Sequence, residues 1–523
     1  MLDVIIKNRM RQDIITNNKR IAKNTMFLYF RMMITMIISL YTSRVVLKVL
    51  GVDDFGIYQA VGGIVGFLSF INSALSTGSS RFITYGLGEG NDEKLKKIFD
   101  TTLTSHILLA IIIIVVAESL GYWFLHHKLI IPPERFNAAV WVFHLSILTV
   151  FFTLTQVPYN ACIIAHENMK IFAYVSVIEA VLKLLIVYML LIGQIDKLIL
   201  YAILQCILQI SIVVFYRIYC TKRYEETLFR LGIDKGIFKE IVGFSGWSLF
   251  ANSAIALNNQ GILLLLNVFF APAVVAARSI SIQVEMSAYQ FMTNFQTATV
   301  PQIVKRYAQH DYEGSKALLL EMTKYSFFLM LLLAVPIFFS AKQLLSLWLG
   351  TVPPYTVIFL QIIILQSLFQ VFDTSFYKAL YAKGRLRENA LISPTCLFVN
   401  FVVVYILFRS GCSPVALSWT TAICYAVMGL VVKPILLIKI VDYKWADILS
   451  AVMPCFKVFI LSLIIPIGVS YYIKSIELSL FCTFAIIVIS CILSVAGVVW
   501  FAGLTTEMRL KLLSAVKSKL HRR

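Results

Sequence analysis

Long apolar runs separated by short polar stretches dominate this chain. Fourteen of them approach or exceed roughly 20 residues, the length at which an α-helix crosses the hydrocarbon of a bilayer. They span residues 27–49, 56–78, 101–124, 140–163, 172–192, 196–216, 246–270, 274–302, 325–348, 356–380, 390–408, 414–437, 450–471 and 478–501. The runs are continuous, as from Ile107 to Ala117, rather than alternating residue by residue. Within a bilayer every backbone donor and acceptor must be satisfied without water, and for continuous runs only the helix does this. The pattern therefore predicts an all-α polytopic membrane protein of about fourteen transmembrane helices.

Composition sharpens this reading. Of 523 residues 59% are hydrophobic and only 14% are charged, with a mean hydropathy of +0.83. A soluble domain is about 45–50% apolar and about 25% charged. The net charge of +19 would point to nucleic acid in a soluble protein. Here the cations fall in blocks between apolar runs, so membrane topology accounts for them and no nucleic-acid partner is expected. Alternate segments hold 33 and 7 of the 46 Lys and Arg, and 6 lie inside spans. That bias places the N-terminus, the C-terminus and the 33-cation segments in the cytoplasm. Residues 433–444, with Lys433, count among those inner segments.

The nine cysteines include no CxxC pair, so neither a disulfide framework nor a zinc site is expected. Residues 1–26 carry Lys7, Arg9, Arg11, Lys19, Arg20 and Lys23 without a short apolar core, unlike a cleavable signal peptide. They form either a helix on the inner membrane surface or a solvated basic tail.

The middle of the chain shows a duplication. Spans two and eight start 218 residues apart, and Tyr159 and Ala161 match Tyr377 and Ala379 at that offset. Six spans per copy keep the same orientation, which makes a parallel repeat around a central site. The expected organisation is a basic segment 1–23, an N-lobe 24–216, a cytoplasmic connector 217–245 with an interfacial helix, a C-lobe 246–440, an extra helix pair 441–502 and a basic tail 503–523. Every outer loop is too short to hold a folded domain.

The segment Arg44-Val-Val-Leu-Lys-Val-Leu-Gly51-Val-Asp53-Asp54-Phe-Gly56-Ile-Tyr58 follows the first span. Ser79-Ser80-Arg81-Phe82 and Gly88-Glu-Gly90-Asn-Asp92 come after it. In this order the chain resembles the polysaccharide and O-antigen flippases of the multidrug/oligosaccharidyl-lipid/polysaccharide (MOP) exporter superfamily. The resemblance implies two MATE-like six-helix lobes around a cationic cavity, alternating access and an undecaprenyl-diphosphate-linked oligosaccharide as substrate. It also implies an inner-membrane location and polymerase or assembly proteins as partners. Lipid II flippases of that superfamily likewise have fourteen spans.

Ionisable groups at mid-bilayer cost about 2.5–3.5 kcal/mol each on insertion scales, so each needs a reason. Arg31 lies one turn inside the inner end of the first span; it either binds the diphosphate with its planar fork or snorkels to headgroups. Arg44, near the outer end, serves release or pairs with Glu118 or headgroups. Glu179 and Lys183, four apart, form either a structural bridge or a cavity wall where phosphate displaces the carboxylate. Arg278 and Glu285 share a face of the eighth span, and Gln366, Gln370 and Asp373 form a stripe on the tenth. Asn258 and Asn259 stand among five amides of the seventh span and are candidates for sugar hydroxyls or for packing. Gly62 and Gly66 read as helix packing, His106 and His144 as core histidines, and His126-His127 as no metal site. No cofactor is expected, and membrane lipids and Na⁺ or H⁺ complete the expected partners.

Two other functions fit the sequence less well. A cation-coupled drug exporter of the same superfamily usually has twelve spans and uses membrane carboxylates, whereas the first and seventh spans here have none. A glycosyltransferase or polymerase could use Asp53-Asp54, but it generally needs a sizeable outer domain. An ATP-driven pump is disfavoured because no GxxxxGK[ST] loop occurs.

Overall fold

The computed structural model describes residues 32–67, 71, 79, 82–166, 168–192, 195–385, 387–473, 475, 478–506 and 508–510. Arg31 and the N-terminal basic segment lie outside the described residues. Fourteen long helical stretches follow the apolar runs, and no strand occurs among the described residues. They are α1 (Met32–Leu50), α2 (Val52–Phe67), α3 (Asp92–His127), α4 (Pro133–Ala165), α5 (Met169–Met189) and α6 (Lys197–Arg223). Next, α7 runs over Lys235–Ala256 and Ile262–Phe269 through a π turn at Leu257–Gly261, and α8 covers Pro272–Ala308. The rest are α9 (Tyr312–Phe339), α10 (Thr356–Lys383), α11 (Arg387–Arg409), α12 (Ala416–Val441), α13 (Trp445–Ile473) and α14 (Leu480–Gly503). Ten of them, α1, α3, α4, α6 and α9 to α14, are long and apolar enough to cross a membrane.

Side-chain caps start several helices where polar loops give way to apolar sequence. Asn91, Asp196, Asp234, Asp311 and Ser479 each accept a hydrogen bond from a first-turn amide of the helix that follows. Such a cap contributes about 1 kcal/mol. The connector between α6 and α7 holds a 3₁₀ turn at Glu225–Thr227, and from Lys235 its last residues are helical as the start of α7. Its backbone is tied to α3: the Arg230 amide donates to Asp100 at 2.9 Å and the Asp234 amide to Thr101 Oγ1 at 3.0 Å. His166 meets Glu226 at 2.6 Å and stacks on Tyr224, anchoring the other end of the connector.

By internal packing the chain divides into two compact units, residues 1–275 and 276–523. In the first, α7 packs along α2, and the chain approaches closest at Gly56. A Cβ there would stand 2.1 Å from the Pro272 carbonyl oxygen, so only glycine fits. Arg135, just before the main body of α4, clasps two carboxylates. It donates to Asp54 at 2.7 and 2.6 Å and to the α6 cap Asp196 at 2.5 and 3.0 Å. Burial works to raise the Asp196 carboxyl, but Arg135 and the α6 amides outweigh it and hold the group below the usual carboxylate range.

In the second unit Phe327, Phe372, Phe376 and Phe456 stack between α9, α10 and α13. Gly429 lets α12 touch α10: a Cβ would lie 2.7 Å from the Phe369 carbonyl oxygen. The extra pair α13 and α14 is part of this unit. Ser494 donates to the Ser462 carbonyl across the pair, and Lys316 at the start of α9 meets Asp447 of α13 at 3.3 Å. Outward faces are apolar, with Leu120, Phe481 and Leu493 about two-thirds exposed. Large apolar side chains exposed along so many helices suit lipid as their solvent.

Candidate substrate cavity

Within the first unit α2, α4, α5 and α6 line a half-open cavity of about 280 Å³. Its polar lining is Tyr58, Ser146, Thr149, Lys183, Gln205 and Gln209. Gly62 lines it too, and a Cβ at that position would meet nothing within 4 Å. The expectation that Gly62 serves helix packing is therefore corrected: the missing side chain leaves cavity volume. Gly66 does face a neighbour, the Gln260 side chain of α7 at 3.5 Å.

Lys183 is the cavity's cation, and its ammonium donates to Glu179 at 2.6 Å. The helical repeat places the two side chains one turn apart on α5. Both are accessible, with side-chain exposures of 45% and 29%. An accessible pair of this kind is held by little net energy, typically 0–1 kcal/mol. Gln209 donates to Gln156 at 3.0 Å, and Gln156 faces Asn160 at 3.4 Å, so a chain of amides leads from the cavity along α4. Sequence reasoning did not single out Gln205, Gln209 or Gln156. Two glutamines four residues apart in an apolar helix are the signal that would have found them.

The second unit gathers a separate polar interior. Arg278 is buried, donates to Ser418 at 3.1 Å and lies 5.9 Å from the Phe359 ring centre. Glu285 is buried and accepts from Ser367 at 3.0 Å. They share a face of α8, as the spacing implied, but they do not form an ion pair within 4 Å among the described residues. The Gln370 carbonyl accepts from Tyr289 at 3.4 Å, and Gln366 is buried beside it on α10. Asp373 meets Lys433 at 3.2 Å. The Lys433 side chain is only 2% exposed. The π turn Met428–Val432 adds a residue to the helical turn before it. Lys433, the residue after that turn, lies against α10 and α11.

The remaining expected residues are scattered. Arg44 is exposed and has no ion pair among the described residues. Glu118 pairs instead with His144 at 3.0 Å; His144 is half exposed, so it is not a core histidine as its apolar helix suggested. His106 is buried, facing Ser79 at 3.0 Å. Asn258 is buried and Asn259 exposed, on the π turn of α7. Asp54, one of the two acids considered for transferase chemistry, is engaged by Arg135.

The sequence profile of the MatE family matches residues 28–189 and 251–406. No curated protein matches the sequence. The lipid II flippase MurJ in an inward closed conformation has a similar fold at 12% identity, with a TM-score of 0.67 over 91% of this chain and 98% of that one. An inward-facing multidrug resistance MATE transporter of the MOP superfamily is similar at 14% identity and TM-score 0.66, over 79% of this chain and 98% of its own. A MOP superfamily transporter from Pyrococcus furiosus is similar at 14% identity and TM-score 0.58, over 81% and 97% of the two chains.

Proposed function

The chain belongs to the MatE family, as a multi-pass membrane transporter of the MOP superfamily, and on that premise we propose that it is a lipid-linked oligosaccharide flippase. It carries an undecaprenyl-diphosphate-linked glycan from the inner to the outer leaflet of a bacterial inner membrane by alternating access. The product feeds surface polysaccharide assembly. Its N- and C-termini face the cytoplasm, in keeping with the distribution of Lys and Arg.

The observation that carries the reading is the Lys183 cavity. An accessible ammonium surrounded by hydroxyls and amides suits a phosphate attached to a sugar. Lys183 binds a phosphate oxygen when it exchanges Glu179 for the substrate, and charge-assisted contacts of this kind are about twice as strong as neutral ones. Gln205, Gln209 and Tyr58 then meet sugar hydroxyls. The fold agrees with a flippase of fourteen spans: the likeness to the lipid II flippase runs over 91% of this chain, against 79% for the multidrug transporter. Arg31, Arg44, Asn258, Asn259, Arg278, Glu285 and Gln370 remain proposed contacts along the path.

A second reading, cation-coupled drug export, draws on Glu285, a buried carboxylate of α8 that accepts from Ser367 and has no ion pair within 4 Å among the described residues. Proteoliposomes separate the two. Translocation of a fluorescent undecaprenyl-diphosphate oligosaccharide is expected from the reconstituted protein. Its absence, together with dye efflux driven by a Na⁺ or H⁺ gradient, would establish the exporter instead.

A further inference from the structure

Lys433 is enclosed by oxygen ligands from two neighbouring helices. Its ammonium faces Asp373 Oδ1 of α10 at 3.2 Å, donates to Ser393 Oγ of α11 at 2.9 Å and donates to Asn389 Oδ1 of α11. The Tyr377 ring centre lies 5.6 Å away and covers another side. The Asp373 oxygen sits off the axis of a good hydrogen bond, so that contact is electrostatic. An ammonium has three donors, and here its surroundings are one carboxylate, one amide carbonyl, one hydroxyl and an aromatic face. Carboxylate, carbonyl and hydroxyl oxygens are the donors that hard cations take. One negative charge balances one positive charge, which selects a monovalent ion over a divalent one. Burial makes the balance strict, because an unpaired charge at this depth is costly.

We propose that Asp373, Asn389 and Ser393 form a monovalent-cation site that the chain fills with its own lysine. The second unit thereby carries its cation permanently, and no dissolved alkali ion exchanges with Asp373 during transport. This inference stands whatever the transported substrate.

The test is thermal unfolding of the purified full-length protein in sodium chloride, methylammonium chloride or choline chloride at equal ionic strength. Choline serves as the control because its bulk does not fit a space left by one lysine side chain. Wild type is expected to unfold at the same temperature in all three salts. Lys433→Ala is expected to unfold lower in choline, by about 5 °C or more. It should recover as sodium or methylammonium is raised. The double variant Lys433→Ala/Asp373→Asn is expected to show no such recovery. Equal midpoints for Lys433→Ala in all three salts would overturn the proposal. So would sodium stabilisation of wild type that disappears in Asp373→Asn, a measurement that does not require Lys433→Ala to fold.

Discussion

Lys183 and Lys433 are both held by carboxylates inside membrane helices, one in each unit of the molecule. Lys183 has a single partner on its own helix, lines a cavity and is 45% exposed. Lys433 is 2% exposed and joins its helix to two others through Asp373, Asn389 and Ser393. The same pair of charges is therefore cheap to separate in one unit and expensive in the other, since a hydrated pair contributes about 0–1 kcal/mol and a broken buried pair costs about 3–5 kcal/mol. What differs is the number of helices that share the cation and how much water reaches it. On the proposed function, Lys183 is the lysine that exchanges its carboxylate for substrate, and Lys433 is the fixed charge.

The largest expected effect breaks the fixed pair. Lys433→Ala should lower stability by about 3–5 kcal/mol while Lys183→Ala stays within about 1 kcal/mol of wild type, as read by thermal or denaturant unfolding. Equal losses would dissolve the distinction between the two sites. Next in size is the close approach that seats Lys433's helix. Gly429→Ala should cost about 1–3 kcal/mol because the added carbon meets backbone of α10. Gly62→Ala, with open space around it, should leave stability unchanged and instead reduce transport by filling the cavity.

Transport then separates the lysines in the opposite sense. Lys183→Ala is expected to slow glycolipid translocation at least about tenfold, equivalent to about 1.4 kcal/mol. Lys183→Arg, which keeps the cation, should retain most of it.

The smallest effect concerns Arg135, whose fork holds Asp54 and Asp196 together. Lysine lacks the planar fork that serves both, so Arg135→Lys should lose about 1 kcal/mol of stability. The depressed Asp196 carboxyl adds a pH dependence. Its contribution is complete above the ordinary carboxylate range, near 3.9, and fades as pH falls through the depressed value. Acid unfolding profiles of wild type and Asp196→Asn should therefore converge at the lowest pH.

The helical plan was legible because lipid enforces it. Runs such as 107–117 admit one backbone solution, and each predicted span lies on a helix where it is described. The Glu179–Lys183 pair was legible for the same reason, since four residues bring two side chains together on any helix. Lys433 was not legible. From sequence it sits at the inner end of a span among other cations, and its partners Asp373, Asn389 and Ser393 lie at least 40 residues away along the chain. The partners of Arg135 were equally hidden, because Asp54 and Asp196 are 81 and 61 residues away. Gly62 shows the limit of a motif: its spacing with Gly66 is that of a packing pair, yet it faces open space.

The most direct measurement of the central claim is equilibrium binding of a short-chain polyprenyl-diphosphate sugar to purified wild type, Lys183→Ala and Lys183→Arg. Unfolding midpoints are recorded on the same samples. At least about tenfold weaker binding by Lys183→Ala, near-native binding by Lys183→Arg and unchanged midpoints are the predicted result. Equal affinity for wild type and a folded Lys183→Ala would contradict the account, because the cavity cation would then take no part in holding the diphosphate.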